Sequence, residues 1–329
     1  MTSLAPALQA FFTERLISQQ AASPNTIAGY KQAFRLLLPF ASARCGKAPS
    51  QLSIDDLDAP VISAFLAHLE KQRGNSPATR NSRLAAVHSM FAYIALHHPE
   101  HAATAQRVLA IPAKRTRRTI VTYLTADEAD VVLAACDQGT WTGRRDHAML
   151  ALTLQAGLRI SELASLTRQD IVLAAGAHVH TTGKGRKERR TPLVPAVKAV
   201  LKSWLAAHPG SPSDPLFPGT TGRRLSRDAI ERRLALAVTA AADKCPSLAA
   251  KHVTMHTLRH SAAMRLLEAG NDITVIALWL GHEQTSTTNI YLHADMTMKQ
   301  KAIDKARPPA ATPGRYQPPD ALLAFLESL

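Results

Sequence analysis

Apolar residues recur every three to four positions through about the first 110 residues, the period of helices that bury one face, so this stretch reads as a helical bundle. One helix opens at Ser23 with Pro24 in its first turn and sets Ile27, Tyr30, Phe34 and Leu37 on one side. Another opens at Ser76 with Pro77 and sets Leu84, Val87, Phe91 and Ile94 on one side. A serine at the N-cap accepts a hydrogen bond from a first-turn amide that has no helical partner, and proline is tolerated beside it because its missing N–H would have none either. The two starts, Ser-Pro-Asn-Thr and Ser-Pro-Ala-Thr, echo each other. A third, more acidic helix is expected over residues 55 to 72.

From Ile111 to Thr119 the period stops: IPAKRTRRT carries a proline and a run of cations, the composition of an exposed linker. A second periodic region starts at Thr125, where Thr-Ala-Asp-Glu makes a capping box with Glu128. Helices are expected at 125 to 137 and at 144 to 156, the second stopped by Gly157, and then a short one containing Glu162. Between 170 and 194 the period shortens to two. Ile171 and Val172, the alternating His178, Val179 and His180, the turn Gly183-Lys184-Gly185-Arg186 and the run Thr191 to Val194 predict a small antiparallel sheet. Helical patterning then resumes, with an apolar helix from Ile273 to Leu280 that Gly281 ends. Prolines 308, 309, 313, 318 and 319 interrupt the tail before one short amphipathic helix, Asp320 to Leu329. The fold class is therefore mainly α. Residues 1–112 form a helical domain, 113–122 a basic linker, 123–300 a mostly α domain with a small antiparallel sheet, and 301–329 a proline-rich tail with its own helix.

A chain of 329 residues with 46% hydrophobic content can bury two cores. Lys and Arg outnumber Asp and Glu by 39 to 25, a formal charge of +14, which favours a polyanionic partner: nucleic acid ahead of an anionic membrane. No apolar run is long enough to span a bilayer, and the N-terminus lacks a signal peptide's basic and apolar regions, so a cytoplasmic protein is expected, with no membrane partner. Cys45, Cys136 and Cys245 are odd in number and far apart, which excludes a disulfide framework and a Cys-x-x-Cys metal knuckle. They read as small core residues. Charge also gives Lys31, Arg35, Arg80 and Arg83, near the two helix starts, a choice between solvated faces and phosphate contacts. The acidic third helix would face away from DNA. The linker cations Lys114, Arg115, Arg117 and Arg118 form either a solvated hinge or a strap along a phosphate backbone, and the total charge favours the strap.

Candidate chemistry gathers in the second domain. His256 and Arg259 stand three apart at a helix start, so both can reach one anion, although His-x-x-Arg alone also describes a capped start with a surface arginine. His260 is at zinc-binding spacing from His256, but no glutamate lies between them as in His-Glu-x-x-His and no third ligand is in view, so it reads as a packed or hydrogen-bonded histidine. His282 directly follows Gly281, at an exposed helix end. Tyr291 lies in TSTTNIYLHA, with polar flanks. Lys184 sits between two glycines at a hairpin tip, but His178 and Gly185 break the P-loop pattern. That leaves a solvated turn, or a mobile lysine carried to a phosphate with Arg186 and Lys187 behind it.

Taken together, Ala156-Gly157-Leu158-Arg159-Ile160-Ser161-Glu162-Leu163, Gly183-Lys184-Gly185-Arg186-Lys187-Glu188-Arg189, His256-Thr257-Leu258-Arg259-His260, Leu280-Gly281-His282 and Tyr291 resemble the tyrosine recombinases, or phage integrase family, in particular its short two-domain Xer-like members. The motifs occur in the family's order, and the resemblance runs from about residue 4 to 300. It implies a SAM-like core-binding bundle followed by a catalytic domain of the DNA breaking-rejoining fold, the two gripping the duplex as a clamp. It implies a site-specific recombinase acting in integration, excision, resolution or transposition. Tyr291 would be the nucleophile that forms a 3′-phosphotyrosine. Arg159 and Arg259 would clamp the phosphate, His256 would assist loss of the phenol proton, Lys184 would protonate the leaving 5′ oxygen, His282 would hydrogen-bond the phosphate and Glu162 would orient the site.

With two guanidiniums and a lysine supplying charge, no metal and no nucleotide cofactor is expected. The partners implied are a double-stranded DNA recombination site and a homo- or hetero-tetramer at synapsis, with the helix 320–329 docked on a neighbour. Because the bundle begins within the first few residues, no further arm-binding domain is expected ahead of it. Two other functions stay open on sequence: a type IB topoisomerase-like enzyme and a non-catalytic DNA-binding or architectural protein on the same fold. The full set of six residue types at the motif positions speaks against the second.

Overall fold

The computed structural model describes residues 2–116, 121–183, 188–281, 288 and 291, and the chain divides into two compact units, Met1–Thr119 and Ile120–Leu329. In the first, α1 (Leu4–Ala10) continues as a π-helix over Phe11–Gln19 and is followed by α2 (Pro24–Cys45), α3 (Ala59–Lys71), α4 (Pro77–His97) and α5 (Ala102–Leu109). Ser23 and Ser76 cap α2 and α4 as their sequences require: each Oγ accepts from the backbone N–H three residues on, at 3.2 Å. The helices bury Phe11, Phe34, Leu37, Ile62, Phe65, Leu84, Val87, Phe91 and Ile94 in one core.

The acidic segment is not one helix from 55 to 72. A 3-10 turn over Ile54–Leu57 is closed by Asp56, whose carboxylate accepts from the Ser53 amide at 2.7 Å and from Lys47 Nζ at 2.7 Å. Asp58 is extended and caps α3 by accepting from Val61 N at 2.9 Å. Short carboxylates bond local amides better outside a helix than within one, so two closely spaced aspartates split the element.

The second unit contains α6 (Ala126–Ala134), α7 (Trp141–Ala156), α8 (Ile160–Ser165), a three-stranded sheet, α9 (Pro195–Ala207), α10 (Arg227–Ala242), α11 (Met255–Glu268) and α12 (Ile273–Leu280). The strands β1 (Ile171–Val172), β2 (His178–Thr182) and β3 (Glu188–Pro192) lie in sequence order and are antiparallel, with Val179 opposite both Ile171 and Thr191. The mainly α class with a small antiparallel sheet is therefore observed.

The Thr125–Glu128 box also forms, and Glu128 then reaches Lys251 Nζ and Ser247 Oγ, both at 2.6 Å, tying the start of α6 to the segment before α11. α6 ends and α7 begins earlier than the apolar pattern indicates, because Thr140 accepts from Gly143 N at 3.0 Å and caps α7 there. α7 runs through the middle of the unit with Met149, Leu150, Leu152 and Leu154 buried. A smaller cluster of Ala263, Met264, Leu267, Ile276, Leu280 and Tyr291 joins α11 to α12. All three cysteines are free, but Cys136 alone is a core residue; Cys45 and Cys245 are half-buried, which corrects the expectation of three core thiols. The helix expected at 320 to 329 lies outside the described residues.

Candidate active site

Two helix ends and two helix starts meet at the site. α7 stops at Gly157, whose φ of +63° belongs to the left-handed region that glycine enters without a Cβ penalty. The approach there is also close: a Cβ at Gly157 would lie 2.5 Å from Leu280 Cδ2 and 3.4 Å from Ala262 Cβ. Two residues later Arg159 caps α8. Its amide donates to Glu162 Oε2 at 2.9 Å and its guanidinium to Oε1 at 2.7 Å, so Glu162 holds Arg159 at two points. The second arm of the fork, Nη2, donates to the carbonyl of Gly281, the left-handed C-cap of α12, at 2.9 Å.

Arg259 comes from the first turns of α11 and is 2% exposed. Its Nη1 donates to the Gly157 carbonyl at 2.6 Å and its Nη2 to the Leu280 carbonyl at 2.8 Å. From β3, Arg189 adds a third guanidinium, donating to Glu162 Oε2 at 3.2 Å and to the Leu280 carbonyl. Arg159 and Arg189 thus share one buried carboxylate, and all three guanidiniums crowd the negative C-terminal end of α12. Burial, and next the charge of Arg159, pull the Arg259 pKa down to about 10 against the opposing pull of Glu162. Burial likewise lowers Arg189. This excess of positive charge in a desolvated place favours binding of a further anion.

Tyr291 is 1% exposed, with its ring among the apolar side chains of α11 and α12 and its hydroxyl 2.9 Å from His260 Nδ1. Burial pushes the phenol up to about 12, while Arg259 and Arg159 pull it the other way. His256 is exposed, and its ring meets that of His260 edge-on at 4.1 Å. Desolvation by the surrounding protein, and then the charges of Arg259 and Arg159, hold its imidazole below the ordinary range, which keeps it neutral and able to accept a proton at pH 7.

Arg159, Glu162, His256, Arg259 and Tyr291 are thus brought together; Lys184, Arg186, Lys187, His282, Arg117 and Arg118 lie outside the described residues. In the first unit, Lys31, Arg35 and Arg115 are exposed, and Lys114 pairs with Glu70 at 2.8 Å. Arg83 is half-buried and donates to the Gly29 carbonyl at 3.1 Å. Arg80 lies on no free face. It is 7% exposed and donates to the Pro112 carbonyl at 3.1 Å, fastening α4 to the segment after α5.

Two residues of the site were missed from sequence, Arg189 and His260. The signal for Arg189 is strand alternation, which puts it on the same side as buried Thr191, and for His260 it is the helical spacing from His256. Among the described residues no three or more His, Cys, Asp or Glu gather as metal ligands, and no helix is long and apolar enough to cross a membrane.

An antiparallel sheet beside a helical core, with arginines, a histidine and a buried tyrosine converging on two helix ends, defines the catalytic unit of a tyrosine-type DNA breaking-and-rejoining enzyme. The comparisons agree. Residues 122–298 match the Phage integrase family and residues 10–98 the Phage integrase, N-terminal SAM-like domain. A protein of Sinorhizobium fredii (strain NBRC 101917 / NGR234), provisionally named integrase/recombinase y4rC, is 50% identical over 327 residues, 99% of this chain and 98% of the relative. The tyrosine recombinase XerC of Rhodospirillum centenum is 33% identical over 90% of this chain and 85% of its own. Among solved structures, the XerH site-specific recombinase bound to palindromic difH substrate, a post-cleavage complex, shares the fold with a TM-score of 0.70 at 22% identity, over 87% of this chain and 81% of that one. The chain belongs to the phage integrase family, and with it to the tyrosine-type site-specific recombinases.

Proposed function

We propose that this chain cuts and rejoins DNA strands at a specific site through a covalent 3′-phosphotyrosine on Tyr291. The observation that carries the proposal is the placement of Arg159, Arg259 and Tyr291 together at the end of α12, with the His256 and His260 rings beside them. The Tyr291 oxygen attacks phosphorus in line, the bond from phosphorus to the 5′ oxygen breaks, and the phosphate stays on the enzyme. His256 takes the phenol proton; Lys184 supplies one to the departing 5′ oxygen. Rejoining is the reverse, with a 5′-hydroxyl of the same or another strand as attacker. Arg159 and Arg259 stabilise the charge on the non-bridging oxygens: a guanidinium has five N–H donors, and backbone carbonyls occupy only part of each fork. His282 adds a hydrogen bond to the phosphate and Glu162 keeps Arg159 aimed. Because guanidiniums supply the charge stabilisation, cleavage proceeds in the presence of EDTA.

On this reading residues 1–112 bind the core site, 113–122 lie along the backbone, 123–300 carry the chemistry and 301–329 hold the helix that docks on a neighbour in a synaptic tetramer. Lys31, Arg35, Arg115, Arg186 and Lys187 serve as phosphate contacts, and the enzyme works in the cytoplasm at the nucleoid. The solved structures of the XerH recombinase bound to difH, of lambda integrase bound to a core site and of the Tn1549 transposon integrase with circular intermediate DNA support duplex DNA as the partner. A nicked suicide duplex tests the proposal. The wild-type chain forms a covalent protein–DNA adduct and Tyr291→Phe forms none; an adduct on the variant refutes the nucleophile.

A further inference from the structure

His260 touches the atom that reacts. Its Nδ1 lies 2.9 Å from the Tyr291 hydroxyl, and the two rings meet edge to face with centroids 5.5 Å apart and planes at 68°. Among the described residues, the tyrosine ring packs in an apolar cluster with Ala263, Met264, Leu267, Ile276 and Leu280. Such contacts hold a ring in its slot but do not direct its hydroxyl, whereas a hydrogen bond does. The partner also belongs to α11, the 14-residue helix that carries Arg259 and His256. In-line attack tolerates little misplacement, so it matters that the nucleophile's oxygen and the phosphate clamp are registered to one rigid element.

Resting on the reading of Tyr291 as nucleophile, we propose that His260 is a positioning residue of the cleavage reaction, donating a hydrogen bond from Nδ1–H to the phenol oxygen and so fixing the direction of the attacking oxygen relative to Arg259. With Nδ1 carrying the hydrogen, Nε2 is unprotonated and the phenol keeps its own O–H for His256. His256 remains the proton acceptor. His260 acts differently, because its contact is to the nucleophile and exists before DNA binds.

The test compares two amides that differ by one methylene. Asparagine at 260 puts its amide where Nδ1 stands; glutamine puts it where Nε2 stands. Single-turnover cleavage of a suicide duplex is measured with the normal 5′ oxygen and with a bridging 5′ sulfur, a leaving group that needs no protonation. His260→Ala and His260→Gln cleave about tenfold or more slower than wild type on both substrates, the size expected for loss of one orienting hydrogen bond. His260→Asn stays within about threefold of wild type. Lys184→Ala, which acts on the leaving group, is the contrast: the sulfur substrate restores it. The proposal is overturned if His260→Asn and His260→Gln cleave equally, if His260→Ala cleaves at the wild-type rate, or if sulfur restores the His260 variants. Should His260→Ala not fold, the Asn and Gln pair decides. Tyr291→Phe in the same assay reports separately on the nucleophile, so an adduct surviving there condemns the underlying reading and not the role of His260.

Discussion

Removing the Glu162 carboxylate tests the electrostatic account of the site most directly. Glu162 is buried at 3% side-chain exposure and bonds Arg159, at 33% exposure, and Arg189, at 12%. Unit charges about 4 Å apart attract by about 4 kcal/mol at an effective dielectric near 20, and each ion also loses hydration on burial. The Arg159 arm is a third exposed and solvent screens it, so the larger loss comes from Arg189, left buried beside Arg159 and Arg259 with no countercharge. Breaking a buried pair by removing one partner costs 3–5 kcal/mol as a rule; the screened arm places Glu162→Ala near the lower end, about 3 kcal/mol. Glu162→Gln keeps the volume and one acceptor and loses less.

The assay is denaturant unfolding of the DNA-free chain followed by tryptophan fluorescence. Trp141, Trp204 and Trp279 all belong to the second unit, so the signal reports that unit alone. A loss below about 1 kcal/mol for Glu162→Ala would refute the claim that this carboxylate holds the arginine cluster together. Cleavage by the same variant should fall by about 100-fold or more, since Arg159 loses both of its bonds to the carboxylate and keeps the one to the Gly281 carbonyl.

Gly157→Ala combines a left-handed backbone with a Cβ 2.5 Å from Leu280 Cδ2, and the same fluorescence assay should show a loss of about 2–4 kcal/mol. The Tyr291 phenol is raised to about 12 in the folded chain against an ordinary value of 10. Its neutral form therefore contributes stability that is fully present below pH 10 and is lost between about pH 10 and 12. Stability measured across that window should fall more steeply for wild type than for Tyr291→Phe, and parallel curves would contradict the burial argument. In the first unit, Arg80→Ala should lower stability by about 1–3 kcal/mol by removing a buried tie to the Pro112 carbonyl. Lys31→Ala and Arg35→Ala, both exposed, should leave the melting transition unmoved and each reduce the salt dependence of DNA binding by about one counterion, as read from affinity against salt concentration.

Most of the helices were legible because their signals are local. Ser23, Ser76 and Thr125 each announce a helix start through a bond made within three residues, and Gly157 and Gly281 announce stops through a backbone conformation of their own. Where local signals compete, the pattern misleads: Asp56 and Asp58 look like part of one acidic helix until each is seen to hold its own turn. Charged residues were the least legible. Arg80 looks like any cation near a helix start, and only the arrival of Pro112 from beyond α5 makes it a buried fastener.

The amino-acid sequence by itself determined the mainly α class, the place of the small sheet, the basic character and the ordered set of Arg159, Lys184, His256, Arg259, His282 and Tyr291, because period, capping and residue type are decided within a few positions. Tertiary structure decided which groups meet. The Arg259 fork finds a carbonyl 102 residues away and Arg159 one 122 residues away. Arg189 enters the cluster and Arg80 leaves the surface. The sequence marks His260 as a packed or hydrogen-bonded histidine, and tertiary structure makes the Tyr291 hydroxyl its partner. A buried polar group must find its partner wherever the folded chain brings one, and no short-range pattern encodes contacts at such separations.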